Sequence, residues 1–542
     1  MQTWQTRKEL TDLLCSLVNH QSITGSNAEI ALPEYLHHIL GQKDYYQQHP
    51  EHLNLHPLDD GRHLLTAFVR GKEPATKETV ILLSHFDVVG VEDYGSLENL
   101  AFYPNELTKK LHERRDELPE DAARDLEKGD WLFGRGTMDM KAGLSIHLSK
   151  LEQAMDGAFP GNILLVSVPD EEVNSKGMLT ALPILENIKE KENLTFKACL
   201  NGEPIFRKYP TDPNYYVYTG SIGKVLPGFY CYGKETHAGE PFSGLNPNLM
   251  TSFLSNHIEL NESFIETSGE AITPPPVSLM QRDLKENYSV QTPQAAISMY
   301  NVLYFKQSFN ELNQKLLEGA KMAAKDVEAY VNQKASLFRD AAIDFPLPTP
   351  KINVMMYEDL YHEAINQYGK EEIIRRQNLL VEQRGDTGDR DFSTLFVQDL
   401  ASICKDLSPM IILFYSPPFY PAVSSYDDLF LKRVMDDITS FTKQEHDIDL
   451  TVTEFFTGLS DLSFVGPVSS NSRLSRLTAN MPLQNNGFTF PEEVMEKLKM
   501  PVLNIGPLGK DAHQWTERLE LTYSFEQLPI ILSEAITRLL QS

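Results

Sequence analysis

The segment NILLVSVPDEEVNS, residues 162–175, ends a short apolar run with three consecutive carboxylates. The run Asn162–Val168 is rich in aliphatic and β-branched residues, which is typical of a strand buried on both faces of a sheet. Asp170, Glu171 and Glu172 follow it after a single proline. Adjacent carboxylates usually form a solvated turn, but at the end of a core strand they can also bind a ligand.

Other apolar runs of the same kind alternate with helical patterns. They are Thr79–Ser84, Phe196–Leu200 and Pro501–Ile505. Between the first of them and Asn162, the segment DMKAGLSIHLSKLEQAM has leucines at helical spacing, which predicts a crossover helix. This alternation predicts an α/β domain with a mixed, mainly parallel sheet between helices.

A different pattern begins near Tyr218. The segments VLPGFYCYG, AAISMYNVLYF and MIILFYS predict strands, and residues 308–333 predict a long amphipathic helix. We therefore expect an inserted α+β domain at 218–418, with the first part of the catalytic domain at 1–217 and its second part at 419–542. Within the inserted domain, a charged stretch near 340–400 predicts an extra insertion.

Composition restricts the partners and the compartment. The formal charge of −27, from 76 acidic and 49 basic residues, argues against a nucleic-acid or anionic-membrane partner because both favour basic surfaces. The four cysteines are far apart and form no CxxC pair, so neither a disulfide framework nor a thiolate zinc site is expected. The N-terminus lacks the pattern of a signal peptide, and no later window predicts a membrane span. We therefore expect a soluble, cytoplasmic protein.

Potential metal ligands follow all four predicted strands of the catalytic domain. They are His85 and Asp87 in SHFDVVG, the carboxylates at 170–172, Glu203 in NGEP and His513 in GPLGKDAHQWTE. Open α/β sheets bind ligands outside the carboxyl ends of their strands, so we expect these side chains to meet at one edge. Asp139, in GRGTMDMKAG, lies in a predicted tight turn before the crossover helix. Each residue alone is typical of a structural histidine, a helix cap or a solvated turn, but together they form a ligand set that suits zinc or a similar divalent ion.

Charge balance favours two ions over one. The carboxylates of Asp139, Glu172 and Glu203, with one bridging hydroxide, carry four negative charges. Two divalent cations balance that charge, and two neutral imidazoles complete a symmetric pair of sites. A pair of ions about 3.5–4 Å apart activates a shared water and stabilises the charge of a tetrahedral intermediate.

These residues lie in segments that resemble a known family. In chain order the segments are SHFDVV, GRGTMDMKAG, PDEEVNSKG, NGEP, THAGEPFSGLNPN and GPLGKDAHQWTERL. They resemble the dinuclear-zinc amidohydrolases and peptidases typified by aminoacylase and carboxypeptidase G, of peptidase clan MH. The resemblance implies a zinc-exopeptidase-like catalytic domain, an inserted lid of the dimerisation type, and two divalent ions, zinc in preference to manganese or cobalt. The implied reaction is cleavage of an amide bond in a small amino-acid derivative, such as an N-acyl amino acid, a dipeptide or a ureido compound.

The resemblance also implies how the two ions are held. Asp139 would bridge them. His85 and Glu203 would complete the first site, and Glu172 and His513 would complete the second.

Further residues would act on the substrate or support the ligands. By the same resemblance, Asp87 would hold the imidazole of His85, and Glu171 would be the general base that moves a proton from the bridging water to the leaving nitrogen. His237, in the inserted domain, would help to stabilise the oxyanion, often across a dimer. From the residues alone, His237 is better explained as a turn histidine before a helix that begins near Pro247.

Several features depart from the family pattern. Residues 107–130, LTKKLHERRDELPEDAARDLEKGD, form a charged helical insertion longer than most relatives have. The loop FTGLSDLSF has Leu459 and Ser460 where relatives carry a glycine and a threonine near the substrate carboxylate, which weakens the expectation of substrate contact there. Glu517 either matches a family glutamate or is a charge on a helix surface. The large middle domain leaves open both a homodimer through the lid and a monomer with an enlarged lid.

The length and the enlarged middle most resemble bacterial arginine-utilisation members of the family, which implies an arginine-pathway substrate. One alternative is a catalytically silent relative that binds a metal or a metabolite and regulates arginine utilisation. The altered loop supports this alternative, and the presence of all five ligands and the base counts against it. A second alternative is a one-metal hydrolase that uses part of the ligand set.

Overall fold

The computed structural model of the chain describes residues 3–72, 76–209, 212, 214–341, 349–469 and 474–541. The backbone divides into two units, the first formed by 1–222, 423–468 and 493–542 and the second by 223–422 and 469–492. The sequence placed the divisions at 217 and 418, and it did not place 469–492 with the middle of the chain. This segment belongs to the second unit because its backbone forms hydrogen bonds with that unit. For example, the N–H of Tyr415 donates to the carbonyl oxygen of Asn480 at 2.8 Å.

Helices and strands alternate over most of the described residues. The helices are α1 (Arg7–Asn19), α2 (Asn27–Gly41), α3 (Asp44–Gln48), α4 (Pro104–Glu113), α5 (Glu120–Lys128), α6 (Lys141–Met155), α7 (Lys176–Lys191), α8 (Pro247–Ile258), α9 (Phe309–Ala341), α10 (Tyr357–Tyr368), α11 (Lys370–Glu382), α12 (Asp389–Ile403), α13 (Leu429–His446), α14 (Ser475–Thr478), α15 (Glu492–Leu498) and α16 (Leu528–Gln541). The strands are β1 (Leu53–Pro57), β2 (His63–Val69), β3 (Glu78–His85), β4 (Trp131–Phe133), β5 (Asn162–Val168), β6 (Thr195–Asn201), β7 (Tyr215–Tyr218), β8 (Gly220–Ser221), β9 (Gly223–Tyr232), β10 (Thr267–Ser268), β11 (Ala271–Ile272), β12 (Val277–Asp283), β13 (Ala295–Tyr304), β14 (Asn353–Met356), β15 (Met410–Tyr420), β16 (Val423–Ser424), β17 (Leu450–Thr453), β18 (Val502–Asn504), β19 (Gly509–Lys510) and β20 (Arg518–Glu520).

The first unit is built on an eight-stranded sheet with the order β1-β2-β5-β3-β6-β18-β7-β17. The central strands β5, β3, β6 and β18 run parallel, and they are the four strands that the apolar runs predict. The pairs β1 with β2, β2 with β5, and β7 with β18 are antiparallel. The predicted mixed sheet is therefore confirmed, with four parallel strands at the centre and a further parallel pair, β7 with β17, at one edge.

Helix α6 is the predicted crossover helix, and it connects the parallel neighbours β3 and β5. It packs against both strands and buries Leu144, Leu148 and Leu151. Burial of each such side chain stabilises the fold by roughly 1.5–3 kcal/mol. Gly143 is needed on this helix because a Cβ there would lie 2.1 Å from the carbonyl oxygen of Gly202. The start of α6 therefore lies directly against the chain that leaves β6.

A small sheet, β19-β20-β4, joins two distant segments of the first unit. β20 pairs antiparallel with β4, with Arg518 opposite Phe133 and Glu520 opposite Trp131. β4 directly precedes the turn at 134–140, and β20 directly follows the loop at 511–517. Both connecting segments carry predicted metal ligands.

The second unit contains a five-stranded sheet with the order β12-β13-β9-β15-β14. β14 pairs parallel with β15, and the other neighbours are antiparallel. Helices α8 and α9 pack together, and α12 packs on β9 and β15. The predicted α+β character is confirmed, and the described part of 340–400 forms β14 and helices α10, α11 and α12. In the described ranges of the chain, no helix is both long enough and apolar enough to cross a membrane.

Candidate metal centre

The predicted ligands and the predicted base meet at the carboxyl edge of the parallel strands. His85 is the last residue of β3, Glu171 and Glu172 follow β5, and Glu203 follows β6. Because these strands are parallel neighbours, their ends bring the side chains to one edge of the sheet. Asp139 reaches this edge from the turn between β4 and α6.

Asp139 lies between the two histidines of the cluster. Its Oδ1 is 3.3 Å from Nε2 of His85, and its Oδ2 is 3.2 Å from Nε2 of His513. Oε1 of Glu203 is 3.4 Å from Nε2 of His85, and Oε2 of Glu172 is 3.0 Å from Nε2 of His513. The side chains thus form two groups, each with one histidine and one glutamate, that share the carboxylate of Asp139.

The donor atoms fit divalent metal ions. Ligand atoms of His85, Asp139 and Glu172 lie within 4.8 Å of one another, and so do those of His85, Glu171 and Glu203. Imidazole nitrogens and carboxylate oxygens are zinc ligands, and neighbouring donors on a tetrahedral zinc ion are about 3.3 Å apart. Glu171 stands farther from His85 than Asp139 or Glu203 does, with its Oε2 4.0 Å from Nε2.

The two histidines of the cluster bind protons tightly because carboxylates surround them. Burial opposes protonation of His85, but Glu203, Asp139 and Asp87 raise its pKa well above the usual value. Hydrogen bonds to Asp139 and Glu172 raise the pKa of His513 to about 11. Burial alone would raise the pKa of Asp139, yet the hydrogen bonds with both histidines hold it below its usual range. A divalent cation in this place would replace those protons as the source of positive charge.

Glu171 is largely buried and lies near other carboxylates. Burial raises its pKa well above the usual value, and the charges of Glu203, Asp461 and Glu172 raise it further against the opposing effect of His85. Asp461 is itself buried, and burial raises its pKa to about 7. Asp461 was not expected at the site, because Leu459 and Ser460 in the same loop depart from the family pattern.

Asp87 contacts both the imidazole of His85 and the turn that carries the two glutamates. The Nδ1 of His85 is 3.0 Å from the main-chain carbonyl oxygen of Asp87 and 3.5 Å from its carboxylate. The buried carboxylate also accepts hydrogen bonds from the backbone N–H of Glu171 at 3.1 Å, the N–H of Glu172 at 3.3 Å and the hydroxyl of Thr24 at 2.8 Å. The carbonyl therefore orients the histidine, and the carboxylate fixes the turn that carries both glutamates, since buried N–H groups require acceptors.

A buried ionic cluster holds the other side of that turn. Asp170 has a left-handed φ of 70°, and its N–H donates to Oε1 of Glu29 at 3.0 Å. Arg62 donates through Nη1 to Asp170 at 2.7 Å and to both oxygens of Glu29 at 3.0 and 3.2 Å. Asp170 therefore contributes to the turn through both its backbone and its carboxylate. Neither Arg62 nor Glu29 was expected near the site, and the only sequence signal is the Asp60-Gly61 pair, which is typical of a turn before Arg62.

Glu517 is not a surface charge, and that interpretation is wrong. Its side chain is fully buried, and one oxygen lies 2.7 Å from Nη1 of Arg135. The other oxygen accepts from the N–H of Met138 at 3.3 Å, one residue before Asp139. The segment around Glu517 is not helical, so the helical spacing that suggested exposure does not apply. Glu517 therefore ties the His513 loop to the turn that carries Asp139.

His237 lies in the second unit, in the segment between β9 and α8. Its side chain is exposed, and its Nδ1 is 3.0 Å from the backbone N–H of Gly239, which donates to it. Its backbone forms an isolated bridge with Gln291. The catalytic role expected for His237 stays a prediction.

A family comparison agrees with this fold and this constellation. Residues 81–466 match the model of Peptidase family M20/M25/M40. The chain belongs to this family, and it is a metal-dependent hydrolase that acts on amide bonds.

Two proteins of Bacillus subtilis and one solved structure are similar to this chain. The chain is similar to YqjN of Bacillus subtilis (strain 168), with 51% identity over 99% of this chain and 97% of YqjN. It is also similar to RocB of the same organism, with 30% identity over 98% of this chain and 94% of RocB. Among solved structures, the M20 family metallo-carboxypeptidase Sso-CP2 of Sulfolobus solfataricus has a similar fold, with a TM-score of 0.53, 11% identity and coverage of 98% of this chain and 99% of Sso-CP2.

Proposed function

We propose that this protein cleaves an amide bond in a small amino-acid derivative by means of two divalent ions and Glu171 as the general base. The main support for this proposal is the position of Asp139. Its two carboxylate oxygens lie 3.3 Å from Nε2 of His85 and 3.2 Å from Nε2 of His513. His85 and Glu203 would hold one ion, and Glu172 and His513 would hold the other. Zinc is the proposed metal, since the donors are the imidazole nitrogens and carboxylate oxygens that also form catalytic zinc sites.

Glu171 moves the proton in this mechanism. Bound ions would supply a lowered pKa for the attacking water and Lewis acidity for the scissile carbonyl. Glu171 accepts the proton of that water and delivers it to the leaving nitrogen. Its raised pKa supports both steps, because a carboxylate of ordinary acidity is too weak a base near neutral pH. Asp87 keeps Glu171 and Glu172 in fixed relation through their backbone N–H groups.

The substrate and assembly follow from resemblance. N-acyl amino acids, dipeptides and ureido compounds are the candidate substrates, and an arginine-pathway compound is preferred because of the similarity to RocB over nearly the whole chain. His237 is the proposed hydrogen-bond donor to the oxyanion, either in its own subunit or in that of a dimer partner.

Substitution of the base tests the proposal. Purified protein loaded with zinc or manganese is assayed against panels of N-acyl amino acids, dipeptides and ureido compounds. Glu171→Gln should lower kcat by roughly 10²–10⁴-fold, which is the usual contribution of a general base. Glu98→Gln is the matched control, because Glu98 is exposed on the first unit, and it should retain full activity. Equal turnover by wild type and Glu171→Gln would refute the assignment of the base.

Metal analysis tests the ligand assignment independently of substrate. Dialysed protein titrated with zinc should bind two ions per chain. Glu172→Gln should weaken one of the two binding events and leave the other. A single ion that depends on His85 alone would favour the one-metal mechanism, and no bound ion would favour the silent alternative.

A further inference from the structure

The backbone conformation of the loop that carries His513 depends on contacts with the surrounding residues. Asp511 and His513 have left-handed φ values of 59° and 64°. Residues other than glycine adopt this region uncommonly, and they keep it where surrounding contacts impose it. The surroundings of residues 511–516 therefore determine where the imidazole of His513 lies.

Arg518 imposes this conformation from one side. Its guanidinium is fully buried, donates through Nη1 to the carboxylate of Asp511, and donates to the carbonyl oxygen of Thr516 at 3.1 Å. The hydroxyl of Thr516 donates to the same carboxylate at 2.7 Å. Arg518 thus forms hydrogen bonds with both ends of the loop, at Asp511 and at Thr516.

Helix α5 holds that arginine from the other side. Nε of Arg518 donates to Asp125 at 3.0 Å, and Nη2 donates to Asp121 at 2.8 Å. Asp125 is 1% exposed and also accepts from Nζ of Lys510 at 2.6 Å. Both aspartates belong to the charged insertion at 107–130, which contributes none of the proposed metal ligands.

Aromatic side chains shield this ionic cluster from water. The guanidinium of Arg518 lies 5.5 Å from the ring centroid of Trp131 and 5.7 Å from that of Phe133, and Nζ of Lys510 lies 5.0 Å from the Trp131 centroid. Charges in such an environment are costly to leave unpaired. Loss of one aspartate therefore forces the arginine to move, and the loop must move with it.

We propose that helix α5 of the insertion is a positioning element for His513, and that Asp125 and Asp121 act through Arg518 to set the affinity of the second metal ion. This inference rests on the proposed function, because it assigns His513 to that ion. The insertion then has a defined role in the site, because it holds a ligand loop that has no regular structure of its own.

Two variants and one control test the proposal. Asp125→Asn removes the buried charge. Asp121→Asn is the milder change, because this side chain is 43% exposed, and we expect this variant to fold even if the first does not. Asp116→Asn is the matched control, the same substitution in the same insertion at a fully exposed side chain. Each variant is examined by hydrogen exchange of the metal-free protein and by zinc titration of the full chain.

The expected result is specific to the loop. Backbone amides at 511–516 should exchange faster in Asp125→Asn and Asp121→Asn than in wild type, while those at 81–88, around His85, should not change. Zinc titration should show the second ion bound at least about tenfold more weakly, which is the usual effect of removing an outer partner of a ligand, with the first ion unaffected. A merely structural role would instead weaken both ions and accelerate exchange throughout the unit.

The outcomes distinguish the positioning role of helix α5 from the proposed two-metal function. If both variants match wild type and Asp116→Asn in loop exchange, the positioning role is wrong whatever metals bind. If loop exchange rises but the wild type binds fewer than two ions, the positioning role stands and the proposed two-metal function falls.

Discussion

Replacement of Arg62 by methionine removes the guanidinium that joins Glu29 to the turn at Asp170. The hydrogen bonds lost are 2.7 Å to Asp170 and 3.0 and 3.2 Å to Glu29, and these two carboxylates have 6% and 0% exposed side chains. Breaking a buried pair of this kind costs about 3–5 kcal/mol. The third partner, Asp60, is 32% exposed and adds no more than about 1 kcal/mol. We expect a loss of about 3–5 kcal/mol in the free energy of unfolding near neutral pH.

The pH dependence of this loss identifies its cause. Burial raises the pKa of Glu29 from 4.5 to about 7, so the folded protein binds more protons than the unfolded chain between these values. The contribution of Glu29 to stability therefore falls as the pH rises through this window. Loss of the guanidinium raises this pKa further. A rise of one unit makes the loss at about pH 8 larger than the loss at about pH 5.5 by about 1 kcal/mol, and a larger rise increases this difference to no more than about 1.4 kcal/mol.

Urea unfolding of wild type and variant at both pH values measures the effect. Arg375→Met is the control, because Arg375 is 62% exposed and pairs with Glu372 three residues away, and it should change stability by less than about 0.5 kcal/mol. A loss below about 1 kcal/mol for Arg62→Met, or an equal loss at both pH values, would refute the reasoning that the guanidinium neutralises two buried carboxylates.

Three further outcomes are expected. Asp461→Asn removes a negative charge that raises the pKa of Glu171, so the acid limb of the pH profile of kcat/KM should move to lower pH; a move to higher pH would contradict this. Arg135→Met leaves the buried Glu517 without its cationic partner beside the turn that carries Asp139. Zinc affinity, measured by competition with a chelating dye, should fall about 10–100-fold. Unchanged zinc affinity would contradict this prediction. Zinc at a concentration of 100 times its Kd should raise the free energy of unfolding by about 2.7 kcal/mol, and stability that does not depend on zinc would show that no ion binds the folded state selectively.

The sequence predicts the centre of the first unit because its strands are almost wholly apolar. β5 begins and ends at the predicted residues, and β3, β6 and β18 differ from their predicted bounds by one residue or so at each end. Since parallel strands end at a common edge, the placement of His85, Glu172 and Glu203 followed from the strands alone. The division of these residues into ligands and a base came from the resemblance, because strand positions do not distinguish the two roles, and it stays a prediction.

The supporting residues could not be predicted because their partners are distant in the chain. Arg62 and Asp170 are 108 positions apart, and Arg135 and Glu517 are 382 apart. No local pattern of charge or hydropathy specifies such a pair, since it depends on how the turns between elements pack. Of the two alternatives left open for Glu517, the charge on a helix surface is wrong for this reason: its spacing from His513 suits a helix, but the loop there has left-handed residues held by Arg518.

The pairing of β4 with β20 restricts which changes of chain length this site tolerates. The turn with Asp139 follows β4, and the loop with His513 precedes β20. The pairing of Arg518 with Phe133 therefore fixes where the turn begins and where the loop ends. A slip of one residue would move the two segments past each other by about 3.3 Å, which exceeds the length of a metal–ligand bond. A one-residue deletion or insertion in 134–138 or 514–517 should therefore abolish metal binding even where the chain still folds. Among natural variants of this protein, differences in length should fall outside these two short segments.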